Sequence, residues 1–119
     1  MSKIVPPKDI GVPVPSPAPD PTMHLIAYYG AKGFTPNYAQ TQRIDVGAVS
    51  SLTQKTVNGV SYYDDPIGAE LPNGLASGPY DFAFTLMDAS GNEGDFSAPL
   101  TVTVDTSVPP TLGQPISLS

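Results

Sequence analysis

The loop at residues 88–95 gathers the side chains of this chain that are best suited to hold a metal ion. Its hard oxygen ligands belong to Asp88, Asn92, Glu93 and Asp95. Ca²⁺ takes about six to eight such oxygens, yet Glu93 stands where an EF-hand requires glycine, and Pro99 stands where its bidentate glutamate belongs. Asp and Asn side chains also bond the local backbone in Asx turns. We therefore expect a loop closed by its own hydrogen bonds, with no metal ion or other cofactor.

Groups suited to catalysis are few. His24 is the single histidine and the chain has no cysteine, which removes thiol chemistry and the usual structural zinc sites. No GxSxG elbow accompanies the histidine. Asp64 and Asp65 are adjacent, so an extended chain points them to opposite faces, whereas glycosidase carboxylates face each other across a substrate. Asp-Asp-Pro is more typical of a solvated turn. We predict that the chain is not an enzyme and has no catalytic residue.

Charge excludes one class of partner. From Ile44 onward nine acidic residues stand against one base, Lys55, and the whole chain has a formal net charge of −6 at pH 7. A surface of this sign repels phosphate backbones, so we expect no nucleic-acid binding. No stretch approaches the roughly 20 apolar residues of a membrane-spanning helix, so we also expect no membrane insertion.

Two strands with regular alternation indicate the fold class. Residues 80–87 and 100–104 alternate apolar and polar or small side chains, and a period of two is typical of half-buried antiparallel strands. The core residues predicted from them are Phe82, Phe84, Val102 and Val104. Fifteen prolines and eleven glycines disfavour long helices. The sequence therefore predicts an all-β protein.

Shorter segments complete a sandwich of about seven strands. Asn58-Gly59 favours a hairpin, because both residues tolerate the positive φ of a type I′ turn. Further strands are predicted at residues 23–29, 41–49, 52–57, 60–63 and 67–71. We place one β-sandwich domain at residues 22–105.

The C-terminal half resembles a known family. Tyr80 opens a strand after the segment LASGP, DASGN forms the next loop, and SAPLTVTVD closes the domain. These segments resemble the end of a fibronectin type III or bacterial immunoglobulin-like module, which is found in phage virion proteins and bacterial adhesins. The resemblance implies a single immunoglobulin-like (fibronectin III-like) antiparallel β-sandwich, in which the Tyr80 hydroxyl bonds to backbone upstream of it.

The resemblance also supplies an alternative for the acidic loop. Some bacterial immunoglobulin-like modules bind calcium at domain ends through acidic loop residues and the aspartate of a Val-Asp-Thr segment. That aspartate is Asp105 in this chain. The residues of the alternative calcium site are Asp88, Asn92, Asp95 and Asp105.

Prolines dominate the first 21 residues. They fall at every second position from 13 to 21 and also at positions 6 and 7, which favours an extended, polyproline-like arm. At roughly 3.1 Å per residue, residues 6–21 would span about 50 Å. We predict that an arm at residues 1–21 lies along a neighbouring subunit, the alternative being a disordered leader without a partner. Its predicted contact residues are Ile4, Val5, Pro6, Pro7, Ile10, Val12, Pro13, Val14, Pro15, Pro17 and Pro19.

Two other features of the sequence have more than one interpretation. The extended tail at residues 106–119 contains three prolines, and it is either a second contact arm or an edge strand formed by residues 115–118. The pairs Tyr28-Tyr29 and Tyr62-Tyr63 place one ring on each face of a strand. The outer ring of each pair suits a sugar-stacking platform, a protein interface or ordinary packing.

A function is expected from these features together. The first residues lack the continuous apolar run that a signal peptide needs, so we expect synthesis in a host cytoplasm. This favours a non-enzymatic structural protein of a bacteriophage virion, either a capsid decoration (cement) module or a tail-associated module. Its partners would be capsid or tail subunits, contacted by the N-terminal arm. The alternative is a carbohydrate-binding or adhesin-type module that recognises a host-surface glycan.

Overall fold

The described part of the chain consists mainly of strands joined by loops. The computed structural model describes residues 9–72, 75–105 and 110–118. The strands are β1 (Ile10–Pro13), β2 (His24–Ala31), β3 (Arg43–Ala48), β4 (Gln54–Val57), β5 (Val60–Asp65), β6 (Gly78–Met87) and β7 (Leu100–Val104). A 3₁₀ turn at Val49–Ser51 follows β3, and a single helical turn, α1 (Ile67–Glu70), follows β5.

The strands form two antiparallel sheets. One has the order β1-β5-β4 and the other the order β3-β2-β6-β7. The predicted all-β class is therefore confirmed. Residues buried in the core come from both sheets and from α1, and they include Ile10, Val12, Leu25, Tyr29, Tyr63, Ile67, Phe82, Phe84 and Val104.

The predicted core strands lie where alternation places them. Phe82 and Phe84 of β6 are buried opposite Tyr29 and Ala27 of β2. Along β7 burial increases from one end to the other, because Leu100 is 48% exposed while Val104 is buried. The sandwich is thus closed at the Val104 end of β7 and open at the Leu100 end.

The hairpin between β4 and β5 confirms the prediction for Asn58-Gly59. Val57 and Val60 face each other across the turn. Asn58 has φ 51° and Gly59 has φ 79°, the two positive values that a type I′ turn requires.

The first strand corrects the predicted arm. Ile10 and Val12 are buried opposite Asp65 and Tyr63, so β1 belongs to the sandwich. The arm interpretation was wrong for this segment because apolar residues at alternate positions indicate a strand, and proline is tolerated at a sheet edge. Pro13 occupies such an edge strand. Four of the other predicted arm residues, Ile4, Val5, Pro6 and Pro7, lie outside the described residues.

The segment at residues 67–71 is a second correction. It was predicted as a strand, but α1 forms there, and both Ile67 and Leu71 are buried. Residues four apart lie on one face of a helical turn, so these two side chains reach the core together. The described residues contain seven strands all the same, because β1 was not predicted.

Candidate functional site

The acidic loop is closed by its own hydrogen bonds. The backbone N–H groups of Ser90 and Asn92 both donate to Asp88 Oδ1 at 2.9 Å, and the Asn92 side chain donates to Asp88 Oδ2 at 3.2 Å. The bonds with Asn92, followed by those with neighbouring backbone, lower the pKa of Asp88. This is the local Asx-type arrangement that the sequence predicts.

The alternative calcium site takes three of its four residues from the same loop. Among residues 9–72, 75–105 and 110–118, no group of three acidic, histidine or cysteine side chains is placed to hold a metal ion. Asp95 and Asp105 are exposed. The four side chains of the alternative site therefore do not form such a group in this structure.

Glu93 connects the loop to the outer face of the larger sheet through hydrogen bonds and an ion pair. Its carboxylate accepts hydrogen bonds from the hydroxyls of Tyr28 and Thr85, the latter at 2.7 Å. Arg43 Nη2 lies 3.4 Å from the other carboxylate oxygen. Burial alone would raise the pKa of Glu93, but these hydrogen bonds and the Arg43 charge outweigh it and lower that pKa. The network therefore holds Glu93 ionised.

Aromatic rings cover the same face. Phe96 packs edge-on against Tyr28 with ring centroids 5.0 Å apart, and it stacks on Tyr38 at 4.3 Å. Tyr28 is consequently buried although it points away from the core, and Tyr29 is buried inside it. The first tyrosine pair therefore offers no sugar platform. Tyr38, whose ring is the exposed one, was not singled out in the sequence, because it lies in a loop without periodicity.

The second tyrosine pair differs. Tyr63 is buried in the core, and Tyr62 lies half-buried on the outer face of the smaller sheet. A Cβ atom at position 11 would be 3.3 Å from the Tyr62 Cβ, so the glycine there makes room for this side chain. A concavity of about 290 Å³ adjoins Tyr62, Lys55 and Asp64.

The paired aspartates point to opposite sides, as the sequence predicts, but they do not form a solvated turn. Both belong to β5. Asp64 faces outward and lies 3.2 Å from Lys55 Nζ, whereas Asp65 is fully buried. Burial, followed by the interaction with the neighbouring Glu70 carboxyl, raises the pKa of Asp65 to about 9. Asp65 is therefore protonated at neutral pH.

His24 contacts a single carboxylate on the surface. Its Nδ1 lies 2.8 Å from Asp45 Oδ1, which also accepts the Gly47 N–H at 3.0 Å. Asp45 lies on the neighbouring strand β3, opposite Ile26 in the register. This arrangement joins the edge of the sheet to the strand beside it.

An apolar groove opens along the side of the sandwich between β1 and the segment that leads into β7. It has two chambers, of about 290 and 310 Å³. Both chambers are lined by Val12, Pro13, Phe84 and Ser97. Leu100 lines the first chamber only. We call this feature the β1–β7 groove.

The tail after the last strand carries the most exposed large apolar side chains of the described residues. Leu112, Ile116 and Leu118 are 91%, 79% and 92% exposed. Residues 110–118 form no strand in this structure, so the predicted edge strand at residues 115–118 is not made within the chain. Of the two interpretations of the tail, the contact arm is the one that an exposed segment leaves open.

The structure separates the residues predicted to contact a partner. Ile10 and Val12 are buried, and Val14 packs against the core. Pro13 and Pro15 line the β1–β7 groove, while Pro17 is exposed and Pro19 half-buried in the connection to β2. Leu100 was predicted on the apolar face of a strand, yet it is 48% exposed and lines the groove. The tail was predicted as a contact arm or an edge strand, but its aliphatic side chains were not singled out, although the alternation of Leu112, Ile116 and Leu118 was a signal for them.

Comparisons with known proteins found no matching family model, no matching curated protein and no matching solved structure. In the part of the chain that the structure describes, no helix has the length and apolar character needed to cross a membrane.

Proposed function

We propose that this chain is a non-enzymatic, immunoglobulin-like structural module of a phage virion, and that its C-terminal tail is the contact arm. The observation that carries the proposal is the tail itself, with Leu112, Ile116 and Leu118 almost entirely in solvent. Large apolar side chains gathered in one exposed segment are typical of a binding element. The predicted N-terminal arm cannot act as a free contact arm at Ile10–Pro13, because these residues form β1 of the sandwich.

The strand order supports the immunoglobulin-like part of the proposal. The sheet β1-β5-β4 corresponds to strands B, E and D of that fold, and β3-β2-β6-β7 corresponds to C′, C, F and G. In such modules a tyrosine near the start of strand F bonds to backbone a few residues upstream. The hydroxyl of Tyr80, near the start of β6, donates a hydrogen bond to the Ala76 carbonyl oxygen at 2.5 Å.

The side-chain chemistry supports a structural role. His24 is engaged with Asp45, Glu93 with Tyr28 and Thr85, and Asp88 with its own loop. These hydrogen bonds stabilise strands and loops. The acidic surface keeps such a module from nonspecific association with negatively charged surfaces.

Particle purification tests the proposal. An antibody against the chain is followed through gradient purification of phage particles from cells that carry the encoding genome. We expect the chain to sediment with particles, and a variant lacking residues 110–119 to remain in the soluble fraction although it is folded. If the full chain stays at the top of the gradient, or the shortened chain sediments normally, the proposal is wrong.

Glycan binding is the second candidate function, and one observation favours it. Tyr62 lies beside Lys55 and Asp64 at the concavity on the outer face of the smaller sheet, and an aromatic ring next to charged hydrogen-bonding groups is a suitable sugar-stacking surface. A glycan array with the full chain and a Tyr62→Ala variant tests it. Selective binding that the substitution abolishes would favour this candidate over a purely structural role.

A further inference from the structure

The β1–β7 groove lies between two open sheet edges. β1 is the outermost strand of one sheet and β7 is the outermost strand of the other. Among the described residues no strand pairs with the free edge of either. An open edge presents unpaired backbone N–H and C=O groups, which makes it a template for an added strand.

The floor of the groove is the hydrophobic core. Phe84 lines both chambers, and Leu100 is 48% exposed at the rim. An added strand with apolar side chains on one face would cover these rings and aliphatic groups. The space therefore fits an extended peptide that inserts every second side chain.

The tail has that pattern. Residues at even positions are Leu112, Gln114, Ile116 and Leu118, and those at odd positions are Thr111, Gly113, Pro115 and Ser117. In an extended chain the three large aliphatic side chains project to one face and the small residues to the other. Ile116 and Leu118 would be roughly 7 Å apart along such a strand, a spacing suited to neighbouring positions in one groove.

We propose that the tail at residues 110–118 of one copy adds as a strand to the β1–β7 groove of a second copy. This inference rests on the proposed role of the tail as a contact arm and names its receiving site. The donor and the acceptor are both parts of this chain, and their apolar surfaces match. The tail contains no charged residue, so it approaches an acidic sandwich without repulsion.

Insertion into a second copy is favoured over return to the tail's own groove. In the single chain the aliphatic side chains of the tail are in solvent. Exchange between copies buries these side chains.

Sedimentation of the full chain over a range of concentrations tests the inference. We expect reversible self-association. Ile116→Asp with Leu118→Asp should weaken it at least about tenfold, since each 1.4 kcal/mol changes a dissociation constant roughly tenfold. The matched control, Thr111→Asp with Ser117→Asp, adds the same charge to the opposite face and should weaken it far less. A monomeric wild-type chain, or equal loss in both variants, would overturn the inference.

A mixing experiment identifies the groove. Leu100→Asp blocks the rim at an exposed position, so the variant is expected to fold, which circular dichroism checks. It still has an intact tail, while the Ile116→Asp, Leu118→Asp variant still has an intact groove. Each alone should be monomeric, and the two mixed should form a complex. Absence of that complex would refute tail insertion into the groove.

The two proposals fail separately. A chain that self-associates through its tail but never sediments with particles would leave this inference standing and reject the virion role. A monomeric chain that needs its tail to join particles would support the virion role and reject this inference, because the receiving groove would then belong to a different protein.

Discussion

Ile10 lies directly opposite Asp65 in the β1–β5 strand pair, and both side chains are buried. The contact joins the beginning of the described chain to its centre. It also places an aliphatic side chain beside Asp65, the most deeply buried carboxyl group among the described residues. Two consequences follow, one for the N-terminal segment and one for the dependence of stability on pH.

Ile10→Ala is expected to destabilise the protein by about 2 to 5 kcal/mol, because it removes buried methylene groups and leaves a cavity. Val60→Ala is the matched control, since Val60 is 45% exposed in the strand that pairs with β1, and it should change stability far less. Urea unfolding measures both.

By the same argument, removing residues 1–21 should abolish the cooperative unfolding transition, because β1 is lost with them. A shortened chain with an unchanged midpoint would show that β1 is dispensable.

Phe82→Ala should cost about 3 to 5 kcal/mol, as is usual for a buried aromatic side chain. Phe82 is fully buried and stacks against Tyr29 with ring centroids 5.8 Å apart. Val57→Ala, at an exposed position of β4, provides a control of similar chemistry. Equal denaturation midpoints for Phe82→Ala and the wild type would contradict the burial of this face.

Much of the fold was predictable because it depends on local patterns. The alternation around Phe82 identifies β6, because a period of two is typical of a strand with one buried face. Asn58-Gly59 identifies the β4–β5 hairpin, because few residue pairs tolerate two successive positive φ values. β1 was missed because its prolines outweighed the alternation of Ile10 and Val12. Proline is excluded from central strands but not from edges, and whether a strand lies at an edge is a tertiary property.

The candidate site was predictable only in part. The Asx-type closure by Asp88 follows from residues close in sequence. The β1–β7 groove does not, because it is formed where β1, β6 and the approach to β7 meet, and no local signal reports which sheet edge lies beside which. The burial of Tyr28 has the same origin, since Phe96 and Tyr38 cover it from distant loops.

The acidic loop should be stable without calcium. Asp88→Ala removes the acceptor of two backbone N–H bonds and should lower the melting temperature equally with millimolar calcium or with chelator. Asp95→Ala, an exposed change in the same loop, is the control and should have a smaller effect. A calcium-dependent rise in the melting temperature that disappears in Asp88→Ala would establish a metal site instead.

The buried carboxyl of Asp65 predicts a pH dependence with a definite sign. Its pKa is raised to about 9 in the folded protein, against roughly 3.9 in an unfolded chain. Between these values the folded state binds a proton that the unfolded state has lost, so the free energy of unfolding falls as pH rises. The contribution is fully present below about pH 4 and diminishes as pH increases toward about 9.

Asp65→Asn should therefore be more stable than the wild type at pH 8, because asparagine has a similar shape and needs no proton to be neutral. The difference should shrink toward pH 5 by at most about 1.4 kcal/mol for each pH unit, the limit for a single proton. Asp64→Asn is the matched control. The pKa of Asp64 is lowered by its hydrogen bond with Asp9, with a further contribution from Lys55, so its ionisation lies below this window. Urea unfolding at four pH values from 5 to 8 measures all three proteins. Parallel pH profiles for the wild type and Asp65→Asn would show that Asp65 is ionised in the folded protein.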